Sequence, residues 1–321
     1  MSRVAAIDLG TNSTRLLVAD IEDGPISEVH RESRITRLGE GVDERRRLLP
    51  VPIARVRNVL TDFRRTLEAL GAERTLAVAT SAIRDAENGE AFLGEIEWSY
   101  GFTTRLLSGH DEALMMFRGV TSGRSVDDGT IILDVGGGST ELVAGGPGGV
   151  GWHDSLDIGS VRLTERFLKS DPPTQEELDA CAEAVRALLA ERIPDDVRRD
   201  TSATIGVAGT ITSLAGLALG LEQYDPDRVH GYELSAEALD EQLERLASVP
   251  VEERRQMRPL DPDRAPVIVG GAVIAREVLS FFGSKTLEIS ERDILDGAAF
   301  AAAELPAEEE GAAPPGAYTC C

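Results

Sequence analysis

Two hairpin-forming stretches, far apart in the chain, constrain what this sequence can fold into. Ile131-Ile-Leu-Asp-Val-Gly-Gly-Gly-Ser-Thr-Glu-Leu-Val143 carries an apolar run to Asp134, turns through three glycines, and returns through Ser139, Thr140 and Glu141 into apolar residues. Asp8-Leu-Gly-Thr-Asn-Ser-Thr-Arg-Leu-Leu17 follows the apolar run from Val4 to Ile7 in the same way. Aligned on their aspartates, the two share Asp8/Asp134, Gly10/Gly136, Ser13/Ser139, Thr14/Thr140 and Leu16/Leu142. They differ at Arg15/Glu141, so the halves are not chemically equivalent. A strand–turn–strand unit repeated at this distance implies two related domains facing each other.

The residue types at the tips suit an anion. Residues without Cβ let backbone N–H groups close on a ligand, and successive N–H groups in a turn form an anion nest. Gly136, Gly137, Gly138, Ser139 and Thr140 are therefore expected to hold phosphate, with Asp134 and Glu141 beside them to hold a metal ion or a water. The first tip, Gly10, Thr11, Asn12, Ser13 and Thr14, offers backbone N–H groups and polar side chains. Taken alone it also reads as an ordinary polar turn; its twin favours the anion site.

Hydrophobic periodicity places these tips in an α/β pattern. Strands are predicted at Val4–Asp8, Arg15–Glu22 and Ile26–Ile35, with Asp23-Gly24-Pro25 as a turn. Residues 36–50 read as a loop. Val56, Val59, Leu60, Phe63, Leu67 and Leu70 recur at helical spacing and stop at Gly71. A strand at Thr75–Thr80, a short helix capped by Ser81, a helix over 88–98, a strand at Phe102–Leu107 and a helix at Asp111–Val120 complete βββ-α-β-α-β-α. The pattern restarts with strands at Thr130–Asp134, Thr140–Ala144 and Trp152–Asp157. Thr174-Gln-Glu-Glu177 is a capping box before an amphipathic helix. A strand at Thr204–Ala208, a helix opened by Gly209 and Thr210, helices near 235–248, 263–282 and 293–303, and a strand at Lys285–Ile289 follow. The tail from Pro306 reads as disordered.

Composition narrows the class. With 321 residues, 42% apolar and 28% charged, the chain has material for two soluble domains. No apolar run approaches a membrane span, and the short N-terminal apolar run reads as a strand rather than a signal peptide, so the cytoplasm is expected. Cys181, Cys320 and Cys321 form no disulfide framework or zinc spacing. A net charge of −23 argues against nucleic acid as a partner. Yet Arg31 to Arg84 holds 12 arginines against 7 acids. That excess reads as a basic wall or as a solvated helix face.

Other stretches have two readings each. Ala79-Thr-Ser-Ala-Ile-Arg-Asp85 puts Arg84 near a strand's carboxyl edge, where it could clamp phosphate or pair with Asp85 or Glu87. Leu107-Ser-Gly-His-Asp-Glu-Ala113 puts Glu112 in a first helical turn, as a base for water or as an acid favoured by the helix dipole. Gly209 and Thr210 form an anion or nucleotide-contact loop, or a close strand–helix contact. Gly146-Pro-Gly-Gly-Val-Gly151 fits G-x-G-x-x-G but leads into Trp152-His-Asp-Ser-Leu rather than a helix, and reads as a turn. With two lysines, Lys169 and Lys285, there is no P-loop.

Six ordered motifs resemble the exopolyphosphatase / guanosine pentaphosphate phosphohydrolase family. They are Asp8-Leu-Gly-Thr-Asn-Ser, Ala79-Thr-Ser-Ala-Ile-Arg, Ser108-Gly-His-Asp-Glu-Ala, Asp134-Val-Gly-Gly-Gly-Ser-Thr-Glu, Gly159-Ser-Val-Arg-Leu-Thr-Glu-Arg-Phe167 and Val207-Ala-Gly-Thr-Ile-Thr. The resemblance implies two ribonuclease-H-like domains of the actin-like ATPase type around a central cleft. Their expected bounds are 1–121 and 122–296, with a helix at 297–305 packing back on the first and a tail at 306–321.

The resemblance also implies roles. Glu112 matches the base that activates water, and Arg84 a phosphate-contacting arginine. Asp134 and Glu141, with Asp8, match acids that hold magnesium, or manganese in its place. Asn12 and Ser13, with Gly10 and Thr11, match the first phosphate loop. The implied reaction is magnesium-dependent release of orthophosphate from the end of inorganic polyphosphate, with guanosine pentaphosphate as the alternative substrate and a homodimer as the expected assembly. A non-catalytic polyphosphate or alarmone sensor is the reading from another class. The chain lacks the C-terminal helical domains of the long family members, which implies a preference for short polyphosphate.

Overall fold

The computed structural model describes residues 2–22 and 26–306. The Asp23-Gly24-Pro25 turn, the tail after Pro306 and Cys320 and Cys321 lie outside the described residues. The described chain forms two compact units, one of residues 2–124 with 294–306 and one of residues 125–293.

The first unit begins with β1 (Ser2–Leu9), β2 (Ser13–Ile21) and β3 (Ile26–Ile35). It continues with α1 (Val42–Arg45), α2 (Pro50–Leu70), β4 (Arg74–Ala79), α3 (Ser81–Arg84), α4 (Gly89–Tyr100), β5 (Thr103–Leu106) and α5 (Gly109–Val120). The sheet runs β3-β2-β1-β4-β5, antiparallel through β3, β2 and β1 and parallel through β1, β4 and β5. β1 is central, which is why Val4 to Ile7 is apolar without alternation: both faces are covered. α2 buries Val56, Leu60, Phe63 and Leu67 on one stripe, each worth roughly 1.5–3 kcal/mol. It stops at Gly71, whose φ of 71° suits a residue without Cβ. Residues 36–50, expected as a loop, contain α1, too short for periodicity to reveal.

The second unit holds β6 (Thr130–Val135), β7 (Thr140–Gly146), β8 (Gly149–Leu156), α6 (Ser160–Phe167), α7 (Gln175–Arg192), α8 (Asp195–Arg199) and β9 (Ala203–Val207). Then come α9 (Ala208–Ala218), α10 (Pro226–Val229), β10 (Glu233–Ser235), α11 (Ala236–Ala247), α12 (Val251–Arg254), α13 (Ile268–Phe282) and β11 (Thr286–Ile289). The order is β10-β11-β9-β6-β7-β8. Taken from β8 inward it repeats the first sheet: three antiparallel strands, then parallel neighbours, with β10 added at the far edge. The twin hairpins thus open twin sheets. Gly146 pairs with Gly149 across a two-residue turn, as the failed G-x-G-x-x-G context implies. The capping box at Thr174 and Glu177 is present.

The final helix, α14 (Ile294–Ala303), belongs to the first unit and packs on α5 and β1. Gly297 makes this possible: a Cβ there would lie 1.9 Å from the Met115 carbonyl oxygen. Arg31 pins the helix from β3 through Asp296, 3.0 Å away and 3% exposed on its side chain.

In both units the central strand and its parallel neighbour end together, Leu9 beside Ala79 and Asp134 beside Val207. The hairpin tips and the starts of α3 and α9 therefore share one sheet edge in each unit. That carboxyl edge is where α/β sheets bind ligands.

Candidate active site

The second tip is built by what happens to its carbonyls. Gly136 O accepts from the Ser160 N–H at 2.9 Å, and Gly137 O accepts from the Val161 and Arg162 N–H groups at 2.9 and 3.1 Å. Gly138 O accepts from Arg162 Nε at 2.7 Å. The start of α6 thus binds all three glycine carbonyls from behind. The N–H groups of Gly137, Gly138 and Ser139 donate to no other group among the described residues. Carbonyls bound on one side and N–H groups left on the other make an anion nest. Gly159 has no room for a side chain, since a Cβ would meet Gly137 O at 2.3 Å.

The first tip repeats the device with different residues. Thr11 O accepts from Gly39 N–H at 2.8 Å, and Asn12 O from the Thr36 and Arg37 N–H groups at 3.0 and 2.9 Å. Here the segment after β3 does what α6 does in the second unit. The twin threonines keep twin roles: Thr14 bonds the Thr36 hydroxyl at 3.0 Å, and the Thr140 hydroxyl donates to Ile158 O at 2.6 Å. Asn12 is 6% exposed and its Nδ2 has no hydrogen-bond partner among the described residues. A buried, unsatisfied amide costs roughly 1–3 kcal/mol, so this donor is suited to an incoming anionic oxygen.

The mismatch at Arg15/Glu141 becomes geometric. Asp8 and Arg15 are cross-strand partners, and Asp134 and Glu141 are cross-strand partners. In the first hairpin Asp8 Oδ2 accepts from Arg15 Nε at 2.9 Å and sits 2.7 Å from a second guanidinium nitrogen. In the second hairpin two buried carboxylates stand directly opposite, which by itself is destabilising. A divalent cation held between them would offset that repulsion. Two carboxylates with substrate phosphate oxygens are a common magnesium donor set. Glu141 Oε1 is steadied by the Ser155 hydroxyl at 2.8 Å. Among the described residues no three His, Cys, Asp or Glu side chains gather into a complete cage. Asp8, expected beside the metal, accepts from Arg15 through Oδ2, a pairing that the aligned hairpins contain but linear spacing does not show.

Arg84 and Glu112, read separately from the sequence, lie together. Arg84 donates to Glu112 Oε2 at 3.0 Å and to Leu107 O at 2.9 Å, so it does not take the local pair with Asp85 or Glu87. Glu112 is 6% exposed. The helix-capping role open to Glu112 falls to its neighbour: Ser108 caps α5 and bonds Asp111, whose carboxyl is held below the ordinary range first by that side-chain hydrogen bond. Ser81 is not a cap as expected. It is the first helical residue of α3, and its hydroxyl bonds Thr11 at 2.8 Å, tying Arg84's element to the first tip.

Gly209 and Thr210 stand at the start of α9 beside the second tip. Ala208 has a φ of 64°. Gly209 faces the Arg264 guanidinium, 2.3 Å from where a Cβ would be. Thr210 is buried with its methyl against Gly271, and the close strand–helix contact is made by Gly206 against Ile211 and Leu287.

Sequence reasoning missed the clamps. Ser160 and Arg162 lie in the Gly159–Phe167 motif, whose short helix periodicity does not reveal, and Thr36 and Gly39 fall in the stretch that reads as a loop. A glycine followed by a polar residue soon after the third strand was the available signal in the second unit.

Comparison with known proteins follows the same architecture. The chain is 40% identical over 317 residues to exopolyphosphatase 2 of Mycobacterium tuberculosis, covering 94% of this chain and 99% of that one. A solved exopolyphosphatase-like protein is 36% identical with a TM-score of 0.87, covering 93% of this chain and 98% of its own. The Aquifex aeolicus Ppx/GppA family member is 33% identical with a TM-score of 0.79, covering 95% and 99%. The twin α/β sheets are the fold of these solved relatives. Residues 17–303 match the Ppx/GppA phosphatase family, and with its clamped glycine tip and facing carboxylates the chain belongs to that family.

Proposed function

We propose that this protein is an exopolyphosphatase that releases orthophosphate from the end of inorganic polyphosphate. The observation that carries the proposal is the Gly136–Ser139 tip: every glycine carbonyl is bound behind it and successive N–H groups are left for an anion. Each unit contributes its own anion site. The N–H groups of the second tip hold phosphate oxygens, and so does the first tip with Asn12 Nδ2. Asp134 and Glu141 hold magnesium, which when bound neutralises phosphate charge. Glu112 takes the proton of the attacking water, and Arg84 keeps that carboxylate oriented while presenting positive charge to phosphate. Phosphoryl transfer to water needs positioning and charge neutralisation more than a protein nucleophile, and these residues supply both.

The test is phosphate release with magnesium from short polyphosphate, long polyphosphate, guanosine pentaphosphate and ATP. Glu112→Gln preserves shape and is expected to lower kcat by about 10²–10⁴. Unchanged release in Glu112→Gln and Glu112→Ala removes Glu112 from the mechanism. Binding without release in the wild type supports the sensor reading instead. Faster release from guanosine pentaphosphate than from any polyphosphate reassigns the substrate.

A further inference from the structure

The excess of arginine between Arg31 and Arg84 is mostly spent inside the fold. Arg31, Arg34, Arg55, Arg57, Arg64 and Arg65 each pair with a carboxylate. Arg74 donates to the carbonyls of Ala303 and Leu305, Arg84 binds Glu112, and Arg37 is also engaged. Three remain: Arg45, Arg46 and Arg47 are consecutive, exposed, and without an ion-pair partner among the described residues. In a chain of net charge −23, three adjacent unpaired cations are a local exception. Asp43 and Glu44 precede them in α1, and Asp43 is half-buried and engaged.

The tripeptide is held, not loose. Arg46 takes a left-handed backbone, φ 53°, and its N–H closes on Val42 O at 2.9 Å. Val42 and Leu48 are buried on either side of it. Its backbone is bonded to the segment just after Arg84: Glu87 N–H donates to Arg46 O at 2.9 Å, and Asn88 exchanges two hydrogen bonds with Leu48 at 2.9 and 3.1 Å. Three residues span at most about 10 Å, so the cluster is fixed a short distance from Arg84. Exposed guanidinium groups on a bonded backbone near Arg84 suit a second stretch of one polyanionic chain.

We propose that Arg45, Arg46 and Arg47 form a subsite for inner phosphates of a polyphosphate chain whose end lies at Arg84. This rests on the exopolyphosphatase reading above. The subsite sets chain-length preference: a medium-length chain has more inner phosphates to place on it than tripolyphosphate has.

The test compares wild type with Arg45→Gln/Arg46→Asn/Arg47→Gln, asparagine being chosen at 46 because it tolerates a left-handed backbone. The ratio of kcat/KM for medium-length polyphosphate to that for tripolyphosphate is expected to fall about tenfold, through KM. Its dependence on salt flattens as fewer counterions are released. The triple lysine variant keeps most of the preference. If the neutral triple variant does not fold, Arg45→Gln and Arg47→Gln singly each show a partial fall. An unchanged ratio overturns the proposal, as does an equal loss on both substrates or a loss confined to guanosine pentaphosphate. Equilibrium binding of the medium-length chain, run in parallel, separates the two readings. A wild type that binds without releasing phosphate refutes the hydrolase, while the subsite stands if the variant binds about tenfold more weakly and falls if it binds equally.

Discussion

Arg162→Ala isolates the clamp behind the glycine tip. The side chain is 8% exposed, and its Nε reaches Gly138 O at 2.7 Å. A hydrogen bond from a charged donor contributes roughly 1.5–3 kcal/mol, and its loss also leaves a buried carbonyl unsatisfied. Asp157, 3.8 Å away and 80% exposed, adds almost nothing. The expected loss is therefore about 2–4 kcal/mol, well inside the roughly 5–15 kcal/mol of a typical domain, so the variant still folds. The α6 backbone keeps its hold on Gly136 and Gly137, and only Gly138 is released. Misplacing the adjacent N–H groups by about 1 Å is expected to cost up to ~10²-fold in kcat/KM. Urea unfolding at constant m reads the first number, and phosphate release reads the second. Arg162→Lys keeps the charge but not the position of Nε, and recovers stability more than rate. A variant within about 0.5 kcal/mol of wild type with unchanged kcat/KM would refute the idea that this bond shapes the nest.

Three further outcomes test the site and its surroundings. Glu141→Gln removes one of the facing carboxylates and should raise the magnesium concentration for half-maximal activity by roughly 10–100-fold in a metal titration, whereas an unchanged midpoint moves the metal elsewhere. Because the Ser108 hydrogen bond depresses the Asp111 pKa, it contributes stability that is present above the unfolded value, about 3.9, and lost as pH falls through the lower folded value. Ser108→Ala should raise the Asp111 pKa in an NMR titration and cost more stability at neutral pH than in strong acid, where only the lost helix cap counts. Burial pushes the Cys181 thiol from 9.0 up to about 12, so its stabilising effect is full below about pH 9 and fades toward pH 12. Peptide mapping after alkylation at pH 8 should find Cys181 protected in the native protein and modified only after unfolding, and rapid native labelling would contradict that burial.

The amino-acid sequence by itself determined the repeated architecture. Two apolar strands ending in Asp-x-Gly turns, helical stripes ending at glycine, and βββ-α-β repeated twice all rest on local periodicity and backbone freedom. Those are properties of neighbouring residues. The sequence also contained the Arg15/Glu141 asymmetry, and sheet register turned it into an ion pair in one unit and two facing carboxylates in the other. Only the tertiary structure decided which charges meet. Arg84 pairs with Glu112 rather than with Asp85 or Glu87 because β4 and β5 run side by side and bring α3 to the start of α5. The same folding sorted 12 arginines into paired ones and the exposed run at 45–47. It also set α6 behind three glycine carbonyls: backbone N–H groups, which every residue possesses, bind those of Gly136 and Gly137, and the Arg162 side chain binds that of Gly138.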